Sequence, residues 1–216
     1  MPDDTDSKEE LLASIPERQV FLYGEENSVT LRIGDDTRQF DWEYMTPRGV
    51  LPQLQVQDYD GDGRAELSVI LYIGSGTGVS VEELHIIDID PSDPDYFRDH
   101  VFEDYTVQID KAVRFNTFKQ DGDLFGQISI GSNTYSVSLK DYQSPEAGKV
   151  SDYLYFGNIV RFYEEDNRLK AQFGAGMILE KFAGPEYIGY VVADVSYKAG
   201  KFTLSHYTFE KDPDAS

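Results

Sequence analysis

The stretch LQVQDYDGDGRAELSVILYI, residues 54–73, decides how the chain reads. Its middle places Asp58, Asp60 and Asp62 at alternate positions, follows them with Gly63, and returns a carboxylate at Glu66. Ca2+ is a hard cation that takes six to eight oxygens, and a short loop supplies them only by converging carboxylates and a carbonyl. Counted from Asp58 as the first position, Gly63 is sixth, Arg64 seventh and Glu66 ninth. An EF-hand needs a bidentate Glu at the twelfth position and a helix on either side. The twelfth residue here is Val69, and the run from Leu67 to Ile73 is aliphatic and β-branched, so a strand follows the loop. Leu54-Gln55-Val56-Gln57 alternates as a strand before it. The segment predicts strand, cation loop, strand. An Asp-Gly turn that binds nothing uses the same residue types. Against that reading, three carboxylates within five residues repel one another unless a cation sits among them.

The loop and its flanks resemble the FG-GAP/VCBS repeat, the blade unit of integrin-type β-propellers. The resemblance runs from about Leu54 to Ile89, with Gly74-Ser75-Gly76-Thr77-Gly78 as a turn and Val81 to Ile89 as a third strand. It implies that Asp58, Asp60, Asp62 and Glu66 give side-chain oxygens to Ca2+ and that Arg64 gives its backbone carbonyl. Glu66 stands where Asp is common in that unit. The resemblance covers one blade, and no other segment repeats the loop. As a whole the chain also resembles bacterial extracytoplasmic proteins carrying one such motif, which implies no activity.

Working outward, alternation dominates. Val29, Leu31 and Ile33 alternate before the turn Gly34-Asp35-Asp36, and Phe40 and Trp42 continue beyond it. Ile128 and Ile130 lead into Gly131-Ser132-Asn133, with Tyr135, Val137 and Leu139 leading away. Val191, Ala193, Val195 and Tyr197 alternate before Lys198-Ala199-Gly200-Lys201, and Phe202 and Leu204 follow. Residues 1–16 read as an acidic leader or tether, in which Ser7 and Glu10 offer a capping box for a short helix ending before Pro16. No other ordinary amphipathic helix is expected. The chain therefore predicts one all-β domain over 17–210, with a calcium-blade half at 17–110, a hairpin half at 111–210, and a tail at 211–216. An antiparallel β-sandwich or irregular two-sheet meander containing one blade-like calcium unit is expected. A small or incomplete propeller is the alternative, since four blades of ~40–45 residues would just fit.

Composition bounds the partners. Forty acidic against 19 basic residues give a formal charge of −21, a surface that repels phosphate backbones and anionic lipid. Nucleic acid is thereby excluded as a partner, whereas calcium, a cationic protein or peptide, or a surface glycan remains compatible. With no cysteine, disulfides, thiolate metal sites and cysteine nucleophiles are ruled out. No run of 18 apolar residues offers a transmembrane segment. The expected location is extracytoplasmic, secreted or attached to the cell surface, with the export signal absent from this chain. A cytoplasmic location is the alternative.

The remaining motifs point to little chemistry. The glycine-rich 74–78 segment lacks the Lys and the following helix of a phosphate loop, so it reads as an inter-strand loop. Asp88, Asp90, Asp93 and Asp95 are irregularly spaced between prolines and read as a solvated acidic turn. His85, His100 and His206 show no metal-ligand spacing, and His85 reads as structural. No nucleophile elbow or zinc-hydrolase motif appears. Tyr153, Tyr155 and Phe156 are the densest aromatic cluster and suit a glycan face or a core-facing strand equally. The expected function is a calcium-binding, non-enzymatic β module with a structural or protein-binding role. A hydrolase of surface polysaccharide or peptide, or a carbohydrate-binding module, is the alternative.

Overall fold

The alternating runs form strands, and the described residues are 9–212 of a computed structural model. The protein is all-β, with several antiparallel and mixed sheets, none of them closed. Among the described residues no propeller blade is formed, so the propeller alternative finds no support in the fold. Two compact units emerge, each assembled from separated segments. Residues 9–75, 82–101 and 198–200 form the first, and 76–81, 102–197 and 201–212 the second.

The first unit opens with β1 (Glu10–Ile15), β2 (Val20–Gly24), β3 (Val29–Ile33) and β4 (Asp36–Phe40), an antiparallel meander in that spatial order. The helix expected in the leader is therefore corrected from Glu10 onward. Leu12 is 2% exposed and packs in the core, so tertiary burial overrides the local capping pattern. Ser7 lies outside the described residues. β5 (Gln53–Gln57) pairs antiparallel with β6 (Glu66–Gly76), which neighbours β7 (Val79–Asp88), and β7 pairs with β8 (Asp99–Val101). Leu67, Val69 and Leu71 of β6 share a face and pack with Leu12, Leu22, Leu31 and Trp42 in one apolar cluster.

The second unit holds a helix that the sequence reading missed. α1 (Tyr105–Ala112) runs into β9 (Val113–Gln120), which forms an antiparallel meander with β10 (Asp123–Ile130) and β11 (Asn133–Ser138). The helix has eight residues, only Ile109 is buried, and Thr106 and Val107 are β-branched, so no long 3.6-residue stripe announces it. Its place is fixed by Gln108, whose amide donates to the Phe202 carbonyl at 3.1 Å and accepts from the Leu204 N–H at 2.8 Å. β12 (Val150–Tyr155) and β13 (Ile159–Glu165) both pair with β14 (Arg168–Leu179), which pairs with β15 (Glu186–Lys198). β16 (Lys201–Lys211) follows, and Val160 of β13 lies parallel to Val81. Its core is aromatic: Phe102 stacks on Phe202 at 4.8 Å, and Tyr105 on Phe173 at 5.3 Å. Among the described residues no helix is long and apolar enough to cross a membrane.

One ionic array links β7, β8 and Trp42 in the first unit. His85, 1% exposed, sits between Asp99 at 3.0 Å on Nδ1 and Glu83 at 2.9 Å on Nε2. Trp42 stacks on its ring at 4.2 Å and donates its indole N–H to Asp99 at 2.8 Å. Burial alone disfavours the imidazolium, but the hydrogen bonds to Asp99 and Glu83 outweigh it and hold the His85 pKa above its ordinary value. Stability from this group is complete below the ordinary imidazole pKa of ~6.5 and is lost as pH rises through the higher folded value. Thermal melts from pH 6 to 9 are expected to show this decline, and His85→Gln to flatten it. An unchanged slope in the variant would show that His85 carries no charge.

Candidate metal centre

The loop from Asp58 to Ala65 closes the β5–β6 hairpin, whose last paired residues are Gln57 and Glu66. Strand pairing thus holds Glu66 at the hairpin mouth, and the loop must turn back over it. Gly61 (φ +77°) and Gly63 (φ +90°) take the left-handed region that makes the turn. Each aspartate then shapes the loop through backbone N–H groups. Asp58 accepts from Gly61 at 2.7 Å and from Gly63 at 3.0 Å, Asp60 from Asp62 at 3.0 Å, and Asp62 from Arg64 at 2.8 Å. These bonds turn the side chains inward.

The result is a convergence. One carboxylate oxygen from each of Asp58, Asp60, Asp62 and Glu66 lies within 4.8 Å of the others. At that separation two unit charges repel by about 1 kcal/mol in water and ~3 kcal/mol at an effective dielectric of about 20. Such a cluster can hold a metal ion. The donor set is all oxygen, without sulfur or imidazole, and suits a hard cation better than zinc. Among the described residues no other group of three or more His, Cys, Asp or Glu side chains converges in this way.

Glu66 is the buried member, 4% exposed, while Asp58 and Asp62 are exposed. Burial pushes its carboxyl up to about 7; the Tyr59 N–H at 2.7 Å opposes the shift, and Asp60, Asp58 and Asp62 add to it. The Tyr59 hydroxyl donates to Ser68 at 2.9 Å, tying the loop's second residue to β6.

Arg64 brings something that spacing does not show. Its guanidinium pairs with Asp62 through Nε at 2.9 Å and through Nη2, and with Asp93 through Nη1 at 2.8 Å. The backbone N–H and side chain of Arg64 hold the Asp62 carboxyl below its usual range. An internal cation therefore already engages one of the four carboxylates. The 88–95 acidic turn is likewise spent on intrachain donors. Asp90 accepts from Ser92, Asp93 from Arg64, and Asp95 from Arg98. His85, as described, is structural, and its partners Glu83 and Asp99 were invisible to spacing alone.

No protein-family model matches the chain, and no curated protein or solved structure matches it either.

The raised Glu66 pKa makes metal-free stability depend on pH. Between pH 4.5 and about 7 the folded chain binds more protons at this site than the unfolded chain, so metal-free stability falls as pH rises across that window. Melting in EDTA is expected to show the fall, and Glu66→Gln to remove most of it. A slope identical in the variant would mean that Glu66 is not held in this environment.

Proposed function

We propose that this chain is a calcium-binding extracytoplasmic β module with a structural or protein-binding role. The observation that carries the reading is the convergence of Asp58, Asp60, Asp62 and Glu66 at the mouth of one hairpin. Their spacing in sequence and the strands on either side support the same reading, as does the resemblance of the segment to an FG-GAP/VCBS unit. When bound, calcium supplies the positive charge that offsets carboxylate repulsion. The chain's part is to present oxygens from three alternate positions of one loop and from one strand end, and to fix the register of β5 against β6. Arg64 contributes its backbone carbonyl in this proposal, while its side chain competes for Asp62.

The loop's make-up supports calcium over magnesium. Magnesium demands a tight octahedron at ~2.0–2.1 Å, whereas a loop offering four carboxylates and a carbonyl suits the larger and more variable calcium shell. An extracytoplasmic setting fits a site of this exposure, because extracellular calcium modules work at ~10⁻⁴–10⁻³ M. Nothing in the loop offers strong Lewis acidity toward a substrate, since its ligands are anionic.

Calcium is expected to raise the melting temperature because it binds the folded loop and scarcely the unfolded chain. At free calcium 100-fold above Kd the stabilisation is about 2.7 kcal/mol. For a chain of this length that corresponds to roughly 5–11 °C. Asp60→Ala should erase most of the shift, and magnesium should give little of it. Identical melting curves in EDTA, calcium and magnesium would sink the reading. Calorimetric titration offers a separate check on Arg64. Arg64→Gln removes the competing cation, so calcium should bind a few-fold more tightly; weaker binding would show that the guanidinium assists the site.

A further inference from the structure

Between α1, the start of β9 and β12 in the second unit lies an open groove of about 520 Å3. That volume is within the ~300–1,000 Å3 typical of small-ligand sites. Its base is apolar, with Phe115 and Phe156 each less than a tenth exposed. Its rim is different. Tyr153 and Tyr155, two apart on β12 and so on one side of the strand, are 57% and 40% exposed. Leu154 between them is buried. Rings left in water beside a groove are positioned to cover something, because a tyrosine has an apolar face and a polar tip.

The Tyr155 ring is held in place. Its hydroxyl donates to Asn158 at 3.1 Å, and its ring packs over Gly157, where an added Cβ would come within 2.7 Å of Cζ. A side chain at 157 would displace the ring. Arg114 is fixed too, since one guanidinium nitrogen donates to the carbonyls of Asp110 at 2.6 Å and Val113 at 3.0 Å. Its other N–H groups are available as donors. Asp110 and Asp152 complete the rim as acceptors.

We infer that this groove binds an uncharged oligosaccharide. A pyranose ring has an apolar C–H face and an edge of hydroxyls, each able to donate and accept. Two exposed tyrosine faces match the first, and the two carboxylates with one guanidinium match the second. Charge argues against the other ligands that stack on aromatic rings. Two carboxylates outweigh the single arginine on the rim, and the chain carries −21 overall, so nucleotides and phosphorylated sugars are repelled. The site is independent of the loop at Asp58–Glu66 and stands or falls without it.

Affinity electrophoresis of the full chain tests this, through native gels containing in turn soluble starch, a mixed-linkage β-glucan, a galactomannan and an arabinoxylan. Retarded migration is expected in at least one gel. Tyr153→Ala and Tyr155→Ala should each weaken the apparent affinity at least tenfold, and Asp152→Asn by a few-fold. Tyr155→Phe, which keeps the ring, should retain most of it. Tyr153 is the more exposed ring, so Tyr153→Ala preserves the test if Tyr155→Ala fails to fold. Unaltered mobility in all four gels would overturn the inference, as would retardation that survives Tyr153→Ala.

Discussion

Like charge gathered at the mouth of a single hairpin is the constraint around which the first unit is arranged. The β5–β6 register that brings Glu66 under Asp58, Asp60 and Asp62 is also the register that sends Leu67, Val69 and Leu71 into the apolar cluster. A slip of one residue would turn that whole face outward. Loop and core are thus tied through one strand, and whatever steadies the carboxylates steadies the register. Without a metal the chain has three partial remedies: backbone N–H groups on the aspartates, the Arg64 guanidinium on Asp62, and a Glu66 carboxyl driven toward its neutral form. Each relieves part of the repulsion, and none supplies a charge to all four groups at once.

The same acidic chain solves a neighbouring problem with its own cation. Glu83 and Asp99 stand partly exposed on β7 and β8, and the buried His85 between them provides the positive charge under the cover of Trp42. Removing one partner of such an array leaves uncompensated charge, which costs more than the intact array contributes. The two sites are therefore complementary. One sets a single imidazole between two carboxylates, whereas the other gathers four carboxylates around one guanidinium.

Much of this was legible in the residues. Alternation at Val29–Ile33, Ile128–Ile130 and Val191–Tyr197 marked strands that are present, and the spacing of Asp58, Asp60, Asp62 and Glu66 marked groups that do converge. What failed did so where tertiary contacts overrule local pattern. The leader's capping signal gives way to β1 because Leu12 finds a core. The helix α1 is too short to show a period, and its anchor, Gln108, bonds to residues more than ninety positions away. The pairing of Arg64 with Asp93 is not legible in the sequence, because the two residues stand 29 positions apart with no pattern linking them. The aromatic cluster near 153–156 was ambiguous between core and ligand face, and the fold divides it: Leu154 and Phe156 go inward, while Tyr153 and Tyr155 stay out.

A crystal structure grown with millimolar calcium, with anomalous data collected to locate the ion, tests the central claim most directly. The account predicts one calcium peak at the β5–β6 hairpin, with oxygens of Asp58, Asp60, Asp62 and Glu66 at ~2.3–2.6 Å and Asp62 drawn away from Arg64. A hairpin with no peak at that concentration, and Asp62 still paired with Arg64, would contradict it.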